Sequence, residues 1–406
     1  MVSYFASVKA RLQPGRPRPA GPYPEEFKSV LSRAAGREAL AAISAWRGYA
    51  ETPLVALVEL ARETGVAKLF YKQEAGRFGL GSFKALGGAY AVYRLLAAQV
   101  QAHTGEKPSP ADILSGRYAD IVAPVTVTCA TDGNHGRSVA WGARMFGCQS
   151  VVFVHETVSK GREDAIAAYG ARVVRTKGNY DDSVREAARV ARENDWRVVS
   201  DTSYPGYTEV PRDVMQGYSV MVDEAGRQLG ALRPTHVFIQ GGVGGLAAAV
   251  TAHFWEILGR DAPKVIVVEP DKAACLLESA VAGKPTAVEG DLDTIMAGLA
   301  CGEPSIIAWP ILEGGVSAFI TIPDETALEV MRLLASGDAG ARLVAGESGV
   351  AGLAGFLVAA AKPEWRAALG IDETAVVVFF GSEGDTDPEL YKQIVGKSGA
   401  EVRAEL

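Results

Sequence analysis

Gly81-Ser82-Phe83-Lys84-Ala85-Leu86-Gly87-Gly88 sets a lysine among small and apolar residues, where a loop gives way to a helix expected over Ala85–Leu96. In such surroundings an ammonium has little water, and a neutral amine is a nucleophile able to condense with an aldehyde. A surface lysine that follows a turn would read the same way, so the weight falls on the motifs around it.

Three other stretches have the same loop-to-helix character. Gly241-Gly242-Val243-Gly244-Gly245 follows the apolar run His236–Gln240 and precedes the alanine-rich run Leu246–Leu258. Glycines let the backbone come close to an anion, and the amides of a helix N-terminus bind it. The Gly-Lys-Ser/Thr ending of a nucleotide triphosphate loop is absent. Gly242, Gly244 and Ala247 match G-x-G-x-x-A, and Glu269 ends the next apolar run. A phosphomonoester and a dinucleotide both remain open on the loop alone. In Ala130-Thr131-Asp132-Gly133-Asn134-His135-Gly136 the amides suit a carboxylate, Asn134 suits a phenolic oxygen, and Asp132 or Asn134 would also serve as an ordinary helix cap. Finally, Ser382 and Thr386 follow the last apolar run, Ala375–Phe380.

The elements that must position these loops are strands alternating with helices. Candidate strands are Leu69–Gln73, Val122–Thr128, Ser150–Val154, Arg172–Arg175, Arg197–Ser200, His236–Gln240, Val265–Glu269 and Ala375–Phe380. Helical spacing fills Gly136–Phe146, Lys160–Tyr169, Ser183–Asn194, Arg212–Leu229 and Leu246–Leu258. Continuous apolar strands between helices predict parallel-rich sheets covered on both faces, an α/β fold whose ligands sit at the carboxyl ends of strands. Residues 1–25, with five prolines, read as an irregular arm, and His103–Tyr118 as a polar surface loop.

The 406 residues suffice for two domains, and the net charge of −7 without a basic stripe argues against a nucleic acid partner. No apolar run reaches the length of a membrane span or a signal peptide, so a cytoplasmic location is expected. Cys129, Cys148, Cys275 and Cys301 form no metal-binding spacing; no metal is expected, and free thiols are the default, with a Cys275–Cys301 disulfide as the alternative.

Taken together these residues resemble the fold-type II pyridoxal-phosphate enzymes, the tryptophan synthase β family. Gly81-Ser82-Phe83-Lys84 is similar to its cofactor-attaching lysine motif, residues 130–136 to its substrate-carboxylate loop, and 241–245 to its phosphate loop. Ser382 stands where a family hydroxyl faces the pyridine nitrogen. Within the family the resemblance is closest to the diaminopropionate ammonia-lyases, through Thr131–Trp141 and through Asp201-Thr202…Gly206-Tyr207 followed by Met215-Gln216-Gly217-Tyr218. Threonine and serine dehydratases have a small neutral residue in place of Asp132.

The resemblance implies a large cofactor-binding domain of residues 1–90 and 232–406, a small inserted domain of 91–231, pyridoxal 5'-phosphate in the cleft between them, and a homodimer. It implies α,β-elimination of a small amino acid, 2,3-diaminopropionate, to pyruvate and ammonia. Phe83, Lys84, Asn134, Gly241, Gly242, Val243, Gly244, Gly245 and Ser382 would hold the cofactor, and Thr131, Asp132, Gly133 and His135 the substrate. Lys84 and Asp132 would take the Cα proton of the L- and D-isomers from opposite faces. Asp201 would hold or protonate a substrate amine, its other reading being a turn cap. A serine, threonine or hydroxyaspartate dehydratase, and a pyridoxal-phosphate-binding protein without turnover, are the alternatives.

Overall fold

The computed structural model describes residues 2–131, 133–156, 158–178 and 180–405, the side chains of Val2 and Asp181 excepted; Asp132 lies outside the described residues. The chain divides into two compact units. One comprises residues 1–33, 51–76 and 221–406, and the other 34–50 and 77–220. Segments 34–50 and 77–90, expected in the larger domain, belong to the second unit, and 221–231 belongs to the first.

The first unit is built on a seven-stranded sheet in the order Arg11–Pro14, Ala318–Ile322, Lys264–Pro270, His236–Gln240, Val376–Gly381, Lys68–Gln73, Leu54–Ala56. The five central strands are parallel and both edge strands antiparallel. Buried strands of this kind need both faces covered. The helix Ala351–Ala361 covers one, with its residues through Ala359 all buried. It lies close to the sheet because two glycines face it: a Cβ on Gly352 would stand 2.6 Å from the Phe238 carbonyl oxygen, and one on Gly355 2.5 Å from Val268. Phe356 then packs edge-on against Phe238 and Phe379, each at 5.4 Å between ring centroids.

The second unit has a four-stranded parallel sheet, Arg172–Thr176, Gln149–His155, Thr126–Ala130, Arg197–Val198. Helices Ala85–Thr104 and Asn134–Phe146 pack together there through small residues, a Cβ on Gly142 falling 2.8 Å from Ala89 Cα.

Several expectations are corrected. The arm is not irregular throughout: Val2–Ser7 is helical, and Arg11–Pro14 pairs with Ala318–Ile322, a partner some 300 residues away. Strands Leu54–Ala56 and Ala318–Ile322 went unrecognised. The strand expected from Val122 begins at Thr126, because Ala119–Val122 forms a helical turn and Pro124 follows it. His103–Tyr118 is not a plain loop: the preceding helix runs to Thr104, and Ser109 and Asp112 form a capping box on Pro110–Leu114. None of the four cysteines is in a disulfide, and Cys129 and Cys275 are buried. No described helix is long and apolar enough to cross a membrane.

Candidate active site

In the first unit, two loops leave adjacent parallel strands at their carboxyl ends. Phe238 pairs with Phe379, so the residues after Gln240 and those after Gly381 emerge side by side. The first of these loops, Gly241–Gly245, opens the helix Gly245–Leu258. Gly244 adopts φ 98°, which favours glycine, and a Cβ there would stand 2.8 Å from Leu312. On Gly242 a Cβ would press on Cys301 Sγ and the Gly298 oxygen, both at 3.2 Å. Such a cradle, with the first helical amides lacking intrahelical partners, fits a phosphate. Val243 is fixed by the Ser305 amide, which donates to its carbonyl at 2.9 Å. Ser382, 4% exposed, accepts at 2.5 Å from Gln240 Nε2.

Glu269, the acidic residue a dinucleotide site would need, is otherwise engaged. Its carboxyl accepts from the Leu276 and Leu277 amides, both at 2.8 Å, at the start of the helix Cys275–Ala282. Burial pushes its pKa up to about 8 against those two bonds. A pKa raised in the folded state means that the stability tied to this proton is full below the ordinary glutamate range and is lost as pH rises through about 8. Thermal melts from pH 5 to 9 should therefore fall more steeply for the natural protein than for Glu269→Gln. Parallel slopes would show that the carboxyl is already ionised at pH 5.

In the second unit, strands Thr126–Ala130 and Arg197–Val198 are neighbours, and their carboxyl ends lead to Thr131 and to Asp201. Thr131 organises its loop by accepting from the Gly133 amide at 3.0 Å and the Gly136 amide at 3.1 Å. Gly136 has no room for a side chain, since a Cβ would stand 2.3 Å from Thr131. Asn134 starts the following helix. The His135 ring Nε2 donates to the Val199 carbonyl at 2.8 Å, and Nδ1 stands 3.9 Å from Asp201 Oδ2.

Lys84 precedes the helix Ala85–Thr104, and its Nζ donates to Asp201 Oδ2 at 2.5 Å, both side chains 18% exposed. This corrects the expectation of an amine in wholly apolar surroundings: a carboxylate 117 positions away supplies an ion-pair partner. The Asp201 side chain therefore meets the lysine. Burial would raise the Asp201 pKa, but the Lys84 charge, the His135 ring and the Lys84 hydrogen bond outweigh it and hold the carboxyl well below the usual carboxylate range.

The rings of Phe83 and Tyr218 frame the same nitrogen, their centroids 5.5 and 5.9 Å from Lys84 Nζ. Tyr218 reaches this place because Gly87 lacks a Cβ, which would stand 2.4 Å from its ring. Its hydroxyl is buried beside Lys84. Sequence reasoning noted Tyr218 only as part of a motif, and missed Gln240 although it adjoins the glycine loop.

The chain is similar to known proteins along most of its length. The pyridoxal-phosphate dependent enzyme family model matches residues 45–381. The diaminopropionate ammonia-lyase of Salmonella typhimurium is 40% identical over 378 residues, 90% of this chain and 93% of that one. The holo diaminopropionate ammonia-lyase of Escherichia coli superposes with a TM-score of 0.88 at 36% identity, covering 96% of this chain and 97% of that one. The same enzyme in complex with an aminoacrylate–pyridoxal-phosphate azomethine intermediate gives 0.85 at 35%, with the same coverage. With the fold, the glycine cradle and the Asp201-paired lysine all present along a nearly full-length match, the chain belongs to the pyridoxal-phosphate-dependent enzymes and, among them, to the diaminopropionate ammonia-lyases.

Proposed function

We propose that this chain cleaves 2,3-diaminopropionate by α,β-elimination, taking up one water and releasing pyruvate and two ammonia molecules. The observation that carries the reading is the Lys84–Asp201 pair, an amine nucleophile held against a carboxylate that can receive a cation once the lysine is engaged elsewhere. Bound pyridoxal phosphate supplies an electron sink that makes the substrate Cα proton acidic and frees the β-substituent.

The chain's residues take the remaining work. The Gly241–Gly245 amides hold the phosphate, Lys84 carries the aldehyde end, Asn134 meets the phenolic oxygen and Phe83 flanks the site. Ser382 faces the ring nitrogen, Thr386 being the next candidate. The Thr131 and Gly133 backbone holds the substrate carboxylate, with His135 bracing Asp201. A hydroxyl donates to a ring nitrogen without surrendering its proton, which keeps the ring less electron-withdrawing and favours prompt departure of the β-ammonia. Lys84 Nζ, once released, accepts the Cα proton of the L-isomer. Asp201 holds the β-ammonium, which leaves as ammonia. A cytoplasmic homodimer completes the reading, supported by the family resemblance and by an acidic composition free of long apolar runs.

The test is to incubate the holoenzyme with each diaminopropionate isomer, serine and threonine. Ketoacid and ammonia in a 1:2 ratio from diaminopropionate, faster than any turnover of serine, is expected. Faster ketoacid formation from serine or threonine would replace the reading with a dehydratase, and no ketoacid from any substrate with a binding protein. Asp132 is the base proposed for the D-isomer. Asp132→Asn keeps the shape and removes the base, so D-isomer turnover should fall by about 10²–10⁴-fold while L-isomer turnover changes far less. Equal loss on both isomers would make Asp132 a binding residue only.

A further inference from the structure

Gln240 ends the central strand His236–Gln240, immediately before the glycine loop, and is 2% exposed. Its Nε2 stands 2.8 Å from the Phe380 carbonyl oxygen and 2.5 Å from Ser382 Oγ. A backbone carbonyl only accepts, so the side-chain atom facing it must be the amide nitrogen; the usual ambiguity between the two ends of a glutamine does not arise. An NH₂ group has two hydrogens, and here each has its own acceptor. Ser382 Oγ therefore accepts from Gln240, and its own proton must point elsewhere. Among the described residues no acceptor for that proton lies within hydrogen-bond distance, and the residue is buried.

We propose that Gln240 is a positioning residue that fixes the polarity of the Ser382 hydroxyl, leaving it a committed donor to the ring nitrogen of pyridoxal phosphate. This rests on the reading that Ser382 faces that nitrogen. A serine alone can rotate and either donate or accept. With one lone pair occupied by an amide hydrogen, it offers the ring nitrogen a proton to share. An unprotonated ring nitrogen is the state that such a donor selects. The two strands that bring Gln240 and Ser382 together, 142 residues apart, are hydrogen-bonded neighbours, so the bond is set by the register of the central sheet.

The test uses holoenzyme reconstituted with cofactor carrying ¹⁵N at the ring nitrogen and reads its resonance by solid-state NMR. The natural protein should show an unprotonated nitrogen accepting a hydrogen bond. Gln240→Glu replaces a group with two hydrogens by one with at most a single proton, which the Phe380 carbonyl claims. Ser382 must then donate to the glutamate, and the ring resonance should move downfield, toward that of a pyridine without a donor. Ser382→Ala should move it the same way. Gln240→Met removes both donors at similar volume, lets the serine rotate, and should give a smaller downfield shift; it serves as the second variant if the glutamate does not fold. A ring resonance unchanged in both Gln240 variants, with only a lowered melting temperature, would overturn the proposal and leave Gln240 as a tie between strands. A resonance unmoved by Ser382→Ala would instead overturn the placement of Ser382 on which it rests.

Discussion

Lys84→Ala is expected to remove the covalent attachment of the cofactor and to lower turnover of both diaminopropionate isomers by about 10²–10⁴-fold or more. Borohydride reduction and peptide mapping of the natural protein should label Lys84, and the alanine variant should carry no label. The variant also strips Asp201 of its cation, which by itself costs on the order of 1–3 kcal/mol of stability. Lys84→Arg separates the two effects. Its guanidinium stays charged and can pair with Asp201, so the melting temperature should recover much of the loss. It cannot condense with an aldehyde under these conditions, so activity should stay at the alanine level. Label on any other lysine would overturn the assignment, as would an arginine variant with restored turnover.

What the sequence displayed was local, and what it hid was contact across the chain. The glycine loop announces itself because four glycines fall in five positions between an apolar run and an alanine-rich one; the structure adds only that Gly244 needs its positive φ and that Leu312 stands behind it. Lys84 stood out for the same reason. Its partner did not, because Asp201 follows a strand of two residues, Arg197–Val198, and reads equally well as a turn cap. Nothing local to the sequence shows where the His135 ring goes; the adjacent strand offers it the Val199 carbonyl. Gln240 carries no motif at all; its role depends on strand register. The edge strand Arg11–Pro14 is hidden by Pro14 and the prolines that follow it, which a strand end at a sheet edge tolerates, and by the distance to Ala318–Ile322. The capping box at Ser109 and Asp112, by contrast, is legible as Ser-x-x-Asp within its polar surroundings.

Asp201→Asn should separate substrates by their charge. Diaminopropionate brings a second ammonium, and serine brings a hydroxyl in its place. A hydrogen bond between charged groups contributes roughly 1.5–3 kcal/mol, so losing the carboxylate should lower kcat/KM for diaminopropionate by about 10–100-fold. For serine, which offers no second cation, the fall should be much smaller. Asparagine retains the shape and one acceptor, so Lys84 keeps a hydrogen-bond partner while the ion pair is gone. If Asp201 served only to orient Lys84, both substrates would lose activity equally, because both depend on that nitrogen. The pH profile gives an independent check. The Lys84 charge is the main cause that holds Asp201 well below the usual carboxylate range, and the substrate's β-ammonium takes that place once Lys84 is engaged, so the carboxylate stays ionised through the pH interval in which other carboxylates take up protons. A depressed pKa places any loss of its charge at still lower pH. The acid limb of kcat/KM for diaminopropionate should therefore have the same midpoint in the natural protein and in Asp201→Asn. A midpoint that moves with this substitution would show that Asp201 itself takes up the proton, and that it acts on the substrate as an acid and not as a fixed anion.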